Sequence, residues 1–148
     1  MKKILALIIL TLTIASINAQ DIYNVEKENN KVVYGQSIKL FLGDTVFLET
    51  IVTRNSIKEF KIVNTIIDSS RTIIIEFKYD FFGSEKASLL KVINPYEKTL
   101  EFKAEIKPMN TRKYSETSIM PIFPKIYSEE MWPYKIESII LSDFKLKK

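Results

Sequence analysis

Apolar and polar residues alternate without a break in TLEFKAEI, residues Thr99–Ile106. Successive side chains of a β-strand point to opposite faces, so Leu100, Phe102, Ala104 and Ile106 would share one face. The threonine, the glutamates and the lysine between them would lie on the other face. This stretch is therefore predicted to be a strand with one buried and one solvated face, which is typical of antiparallel sheets.

The same two-residue period recurs along most of the chain. Turn-forming residues interrupt it roughly every 8–12 residues, a spacing that indicates a β-sandwich or barrel. The best candidate for a helical turn is SEEM, Ser128–Met131, where the serine could cap the turn and Pro133 would end it. The further predicted strands are Ile22–Lys27, Lys31–Tyr34, Ser37–Leu42, Thr45–Val52, Glu59–Asn64, Thr72–Tyr79, Ser88–Ile93 and Ile136–Leu146.

Three local signals refine this prediction. Asparagine tolerates positive φ, so Asn29-Asn30 is expected to form the tight turn of a hairpin between the first two strands. The apolar phase of the last strand shifts between Leu141 and Phe144, which predicts a bulge near Ser142-Asp143. Four prolines between residues 108 and 133 cannot donate ladder hydrogen bonds, so this stretch is expected to be a long connection or an edge crossing between sheets.

A buried strand ending in Asn94-Pro95, a short polar turn and an alternating strand follow one another in LKVINPYEKTLEF, residues Leu90–Phe102. This segment resembles the strand–turn–strand unit of immunoglobulin-like and fibronectin-III-like modules in exported bacterial proteins. The resemblance implies an antiparallel two-sheet β-sandwich, which the number of predicted strands also favours. The chain departs from antibody domains in lacking the cysteine pair, and Trp132 comes too late to be the usual core tryptophan.

The first nineteen residues are typical of a secretory signal peptide. Two lysines precede an apolar run from Ile4 to Ala15, and the segment closes with a small residue at Ala19. The apolar run is shorter than the roughly 20 residues that span a membrane. We expect the mature chain to begin near Gln20, with cleavage after Ala15 as the alternative.

Removing residues 1–19 would leave 129 of the 148 residues, a length that suits one domain. The expected organisation is thus a signal peptide at 1–19 and one all-β sandwich domain at 20–148, in the periplasm or secreted. The net charge of +4 is concentrated in Lys2, Lys3 and the terminal lysines 145, 147 and 148, and residues 20–144 are close to neutral. A near-neutral body argues against a nucleic-acid partner, because such affinity comes mainly from clustered basic residues.

Cysteine and histidine are absent from the chain. The lack of cysteine excludes disulfides, a thiol nucleophile and a lipobox acylation site, so no membrane anchor is expected in the mature chain. The lack of histidine removes the commonest general base and zinc ligand. Ser88–Lys91 and Ser142–Lys145 match an S-x-x-K spacing, but on a strand residues three apart face opposite sides. We therefore predict no catalytic, cofactor-binding or metal-binding residues and a protein that is not an enzyme.

Large aromatic rings gather in the proline-rich connection at Tyr127, Trp132 and Tyr134. Because a tryptophan buries a large area, we expect Trp132 to plug one end of the sandwich, with any contact surface on the adjacent rim. Tyr127, Glu130, Trp132 and Tyr134 are thus the candidate partner-binding residues. DFFG, Asp80–Gly83, raises the same question at another turn, and at least one of its phenylalanines is expected to be buried.

These observations favour an exported, non-enzymatic β-sandwich protein that binds a protein or a component of the cell envelope. One alternative is a carbohydrate-binding module or weak glycan-active enzyme, in which Trp132 and Tyr134 would form a platform for a sugar ring. Another alternative is a periplasmic inhibitor or immunity protein.

Overall fold

A computed structural model describes residues 26–28, 31–34, 36–53 and 56–148. These residues form an all-β fold of eleven antiparallel strands, with no helix among them. The strands are β1 (Glu26–Glu28), β2 (Lys31–Tyr34), β3 (Ser37–Phe41), β4 (Thr45–Thr53), β5 (Ser56–Val63), β6 (Thr72–Phe82), β7 (Glu85–Ile93), β8 (Thr99–Pro108), β9 (Ser115–Thr117), β10 (Tyr127–Trp132) and β11 (Ile136–Lys147).

The strands predicted from the two-residue period each overlap an observed strand. In β8 the alternation is confirmed, since Leu100, Phe102, Ala104 and Ile106 are all buried while the residues between them are not. β1 and β2 pair as expected, with Glu28 opposite Lys31. The Asn29-Asn30 turn between them and the expected signal peptide at 1–19 lie outside the described residues.

The prediction of a helical turn at Ser128–Met131 is wrong, because these residues lie within β10. This strand pairs residue by residue with β7, from Tyr127 opposite Ile93 to Trp132 opposite Ser88. A helical turn satisfies few backbone groups on its own, whereas pairing with β7 supplies a ladder along the whole segment. The expected long connection from Pro108 to Pro133 therefore contains two strands, β9 and β10.

The strands join into one antiparallel sheet in the order β1-β2-β3-β11-β5-β4-β6-β7-β10, with β8 on the other side of β11 and β9 beside β8. One edge of β11 pairs with β8, while its other edge pairs first with β3 and then, through Lys145 and Ser56, with β5. This change of neighbour curls the sheet into a half-barrel. The separate two-sheet sandwich expected from the sequence is not confirmed, since the described strands form one connected sheet.

β11 contains the predicted bulge. Its register with β8 shifts between Ser142 and Lys145, and Asp143 has a φ of 58°. The extra residue brings Phe144 and Leu146 onto the buried face that Ile139 and Leu141 occupy before the shift. Lys103 Nζ donates to Asp143 at 2.9 Å, and this contact lowers the pKa of the Asp143 carboxyl and raises that of Lys103.

The core fills the inside of the curl and draws apolar side chains from both of its halves. At the junction of β5 and β11, the ring of Phe144 lies between Phe60 and Phe102, with centroid distances of 5.5 and 5.2 Å. Aromatic pairs at this separation add to the stabilisation from burial. The other core residues come from β3, β4, β5, β6, β7, β8, β10 and β11, together with Ile122.

Asn94, in the β7–β8 turn, fixes one end of the half-barrel. It is 1% exposed, and the two hydrogens of its Nδ2 are shared among the carbonyl oxygens of Lys98, Ile122 and Phe123, at 2.8, 2.9 and 3.0 Å. Its Oδ1 accepts a hydrogen bond from the Tyr96 amide at 2.9 Å. One side chain thus holds the turn in shape and fastens the 122–123 segment to it.

Tyr96 links the β7–β8 turn, which Asn94 holds in shape, to the buried Thr50 of β4. The hydroxyl of the buried Thr50 donates to the carbonyl oxygen of Arg71 at 2.9 Å, so it accepts its other hydrogen bond from the Tyr96 phenol. Burial raises the pKa of Tyr96. The phenol therefore stays protonated and acts as a donor at neutral pH.

Replacing the Asn94 amide by a carboxylate tests this closure. Asn94→Asp would place a desolvated negative charge against three carbonyl oxygens, and it should lower the free energy of unfolding by about 3 kcal/mol or more. Asn110→Asp, at an exposed turn with a φ of 66°, is the matched control and should change it by about 0.5 kcal/mol at most. Urea unfolding followed by circular dichroism measures both, and equal midpoints would contradict the role of Asn94.

Candidate functional site

The hairpin formed by β6 and β7 projects beyond the rest of the sheet. β10 ends opposite Ser88 of β7, and the backbone contacts of β6 with the chain before β4 end at Phe77. Past these points, neither strand of the hairpin has another of the described strands beside it. All residues from 79 to 86 are exposed.

Two phenylalanines occupy the tip of this hairpin. Phe81 is 62% exposed and Phe82 is 50% exposed, so the expectation that at least one would be buried is wrong. The physical reason is that β4 and β10 are too short to reach and cover the tip. Because the two residues are consecutive in a strand, their rings lie on opposite faces of the hairpin. Gly83, with a φ of 67°, allows the two-residue turn that joins the strands.

Lysines stack on the rings of the inner face of the hairpin. Lys86 Nζ lies 5.3 Å from the centroid of Phe81, and Lys135 Nζ lies 5.6 Å from that of Tyr79. A cation over an exposed ring contributes about 0.5–1 kcal/mol. These contacts restrict the rings while leaving much of their area open to solvent.

Ser88 anchors the connection after β10 to the base of the hairpin. Its buried hydroxyl donates to the carbonyl oxygen of Tyr134 at 2.9 Å and accepts from the amide of Ile136 at 2.9 Å. This arrangement brings the exposed side chain of Tyr134 beside the hairpin. It also engages the Ser88 hydroxyl both as donor and as acceptor, which agrees with a structural role for this residue.

The structure separates the four predicted partner-binding residues. Trp132 is 8% exposed and donates from Nε1 to Thr117 Oγ1 at 3.2 Å, so the expectation of a buried indole is confirmed. Glu130 Oε1 accepts a hydrogen bond from the amide of Met120 at 2.8 Å. Tyr127 and Glu130 are three residues apart on one strand and so face opposite sides. Tyr127 and Tyr134 are exposed, and the backbone of Tyr134 is bound to Ser88 at the base of the hairpin.

The outer face of β10 carries a second exposed feature. Glu129 lies between the exposed side chains of Tyr127 and Met131, two residues to either side. The Nζ of Lys91, on the neighbouring β7, lies 4.7 Å from the ring centroid of Tyr127. This face of an edge strand therefore combines one carboxylate with two apolar side chains.

A groove of about 350 Å³ opens beside β4 and β5. Its Arg71 forms ion pairs with Glu49 at 2.9 Å and with Asp68 at 2.8 Å. Hydrogen bonds from Ser70, together with the charge of Arg71, lower the pKa of Asp68, so this carboxyl is ionised and unsuited to general acid catalysis. In the part of the chain that the structure describes, no group of three acidic residues could hold a metal ion.

No family model, characterised protein or solved structure matches the chain. Among the residues described, no helix is long and apolar enough to cross a membrane.

The difference in burial between Trp132 and Tyr134 can be tested directly. Trp132→Ala should lower the free energy of unfolding by about 3–5 kcal/mol, because it removes a buried indole and leaves a cavity. Tyr134→Ala is the control and should cost about 1 kcal/mol or less, since that ring is exposed. Urea unfolding by circular dichroism compares them, and an unchanged midpoint for Trp132→Ala would contradict the packing described.

Proposed function

We propose that this chain is an exported, non-enzymatic binding protein that docks on a protein or a cell-envelope component through the end of its β6–β7 hairpin. The observation that carries the proposal is the pair of adjacent, exposed phenylalanines, Phe81 and Phe82, on a hairpin that projects from the sheet. Exposed clusters of large apolar side chains on a folded protein are typical of interaction sites.

The hairpin is suited to binding because its backbone is paired up to the tip and the ring of Phe81 is restricted by Lys86. Strand pairing extends to Phe82 opposite Glu85, and Lys86 stacks on Phe81. A side chain that is ordered before binding loses little entropy when a partner covers it. Aromatic anchors of this kind supply much of the binding energy at protein interfaces.

The charges around the tip favour a protein surface over a polyanion. Asp80, Glu85 and Lys86 surround the two phenylalanines, so the rim carries both signs of charge. Nucleic acids and anionic lipid surfaces are bound by clusters of basic residues, and the residues near this tip form no such cluster. A mixed polar rim around an apolar centre is the usual anatomy of a protein–protein interface.

The proposal includes export and an immunoglobulin-like sandwich architecture. Export rests on the signal-like segment at 1–19. In favour of the architecture, β3, β8 and β11 contribute side chains to the same core as β4, β6 and β7.

The structure bears differently on the two alternative functions, an inhibitor or immunity protein and a carbohydrate-binding module. A periplasmic inhibitor or immunity protein is one form of the proposed protein-binding function. A carbohydrate-binding module loses its expected platform, because the indole of Trp132 is buried.

The hairpin tip can be tested by capture of a partner from envelope extract on immobilised mature protein. The double variant Phe81→Ser, Phe82→Ser should fold normally and lower capture of the principal partner more than about tenfold, because aromatic anchors at interfaces are each worth about 2 kcal/mol. Phe123→Ser is the matched control, since Phe123 is 64% exposed but lies near Asn94, at the opposite end of β7 from the hairpin tip. Equal capture by the double variant and the wild type would contradict the proposed surface.

Export makes a separate prediction about the mature chain. N-terminal sequencing of protein recovered from the periplasm or the medium should begin at Gln20, or at Ser16 if cleavage follows Ala15. Recovery of membrane-associated protein that begins at Met1 would contradict export with cleavage.

A further inference from the structure

We infer that the partner adds a strand to the edge of β10 that no other described strand covers, and places a basic residue opposite Glu129, with an apolar residue two positions to either side. This inference rests on the proposed binding function and extends it, because it states how the partner is held and which side chains it presents. Strand addition of this kind combines main-chain hydrogen bonds with recognition of alternate side chains.

β10 offers an edge for such an addition. It stands last in the sheet order, and among the described strands β7 is its only neighbour. Every second residue of an edge strand directs its backbone N–H and C=O groups away from the sheet. Edge strands are commonly protected by proline, lysine or a bulge, but β10 reads YSEEMW and keeps an unshifted register with β7.

The charges on the outer face point to a cation. The registers of β6, β7 and β10 place Glu76, Lys91 and Glu129 in one row across the three strands. The row alternates in sign and ends with a carboxylate at the free edge. A basic residue on an added strand would continue the alternation, whereas an acidic residue would stand directly beside a like charge.

The neighbours of Glu129 specify what flanks that cation. Tyr127 and Met131 lie on the same face as Glu129 and are both exposed. Residues two positions before and after the basic residue of the added strand would lie opposite them. Apolar side chains there would bury this exposed area, so the preferred segment is apolar–x–basic–x–apolar.

The inner face of β10 is already occupied, which leaves recognition to the outer face. Glu130 holds the amide of Met120, and the Trp132 indole donates to Thr117. These contacts place the chain around residues 117–120 over the inner face. The partner would therefore read Tyr127, Glu129 and Met131.

A second copy of this chain fits the edge poorly. Symmetric antiparallel pairing of two β10 strands has two registers with the greatest overlap. One places Glu129 opposite Glu129 of the second copy, and the other places Glu130 opposite Glu130. Like charges directly opposite destabilise a strand pair, so the edge disfavours self-association and favours a basic partner.

The test measures how tightly two synthetic peptides, Ac-TVTKTVT-amide and Ac-TVTETVT-amide, bind to the mature protein. Each peptide is used at about 1 mM. The wild type should bind the lysine peptide at least about threefold more tightly than the glutamate peptide, and Glu129→Lys should reverse the preference. Glu116→Lys, an exposed site on β9, is the matched control and should keep the wild-type preference. Amide hydrogen exchange should slow at alternate residues of β10 when the lysine peptide is bound.

Several outcomes would overturn the inference. They are failure of both peptides to bind, an unchanged preference in Glu129→Lys, or exchange protection that lies outside β10. The hairpin variant Phe81→Ser, Phe82→Ser separates this inference from the proposed function, because it should keep the peptide preference while losing the envelope partner. If partner capture depends on the phenylalanines but neither peptide binds, the docking surface stands and strand addition at β10 falls.

Discussion

The fold depends on a change of neighbour part-way along β11. This strand pairs with β8 along one edge, while the other edge passes from β3 to β5. The bulge at Asp143 provides the bend and keeps apolar residues on the inner face before and after it. Without that shift, Phe144 would turn outward and the rings of Phe60 and Phe102 would lose their common contact.

The candidate binding surface follows from unequal strand lengths around this curl. β6 and β7 have eleven and nine residues, whereas the neighbouring β10 has six. The hairpin continues past Ser88 and Phe77, where its pairing with β10 and its contacts with the chain before β4 end, and none of the other described strands covers that part. Phe77 is therefore fully buried, whereas Phe81, four residues further along β6 on the same face, is open to solvent.

Much of the fold could be predicted because the signals that specify it are local. The alternation in β8 and the phase shift in β11 each depend on a few adjacent residues, and both predictions are confirmed. Pairing partners and strand ends are not local. The capping signal of Ser128 was outweighed by pairing with β7, and the exposure of Phe81 and Phe82 depends on where β4 and β10 end. The burial of Trp132 was predictable from its size, but the separation of Tyr127 from Glu130 required knowing that they share a strand.

The glutamates of β10 meet two requirements of a binding edge strand, which must stay accessible to its partner and must avoid pairing with other extended chains. A binding edge must keep its backbone accessible, yet an accessible edge invites pairing with any extended chain, including another copy. A proline or a bulge would prevent unwanted pairing, but it would also prevent a partner strand from binding. A carboxylate such as Glu129 leaves the backbone groups in place and selects by charge, because it repels its own copy and attracts a basic segment. Specificity then comes from the repulsive contact as much as from the attractive one. Lys91, opposite Glu129 on β7, begins the alternation of charge sign that a basic residue on an added strand would continue.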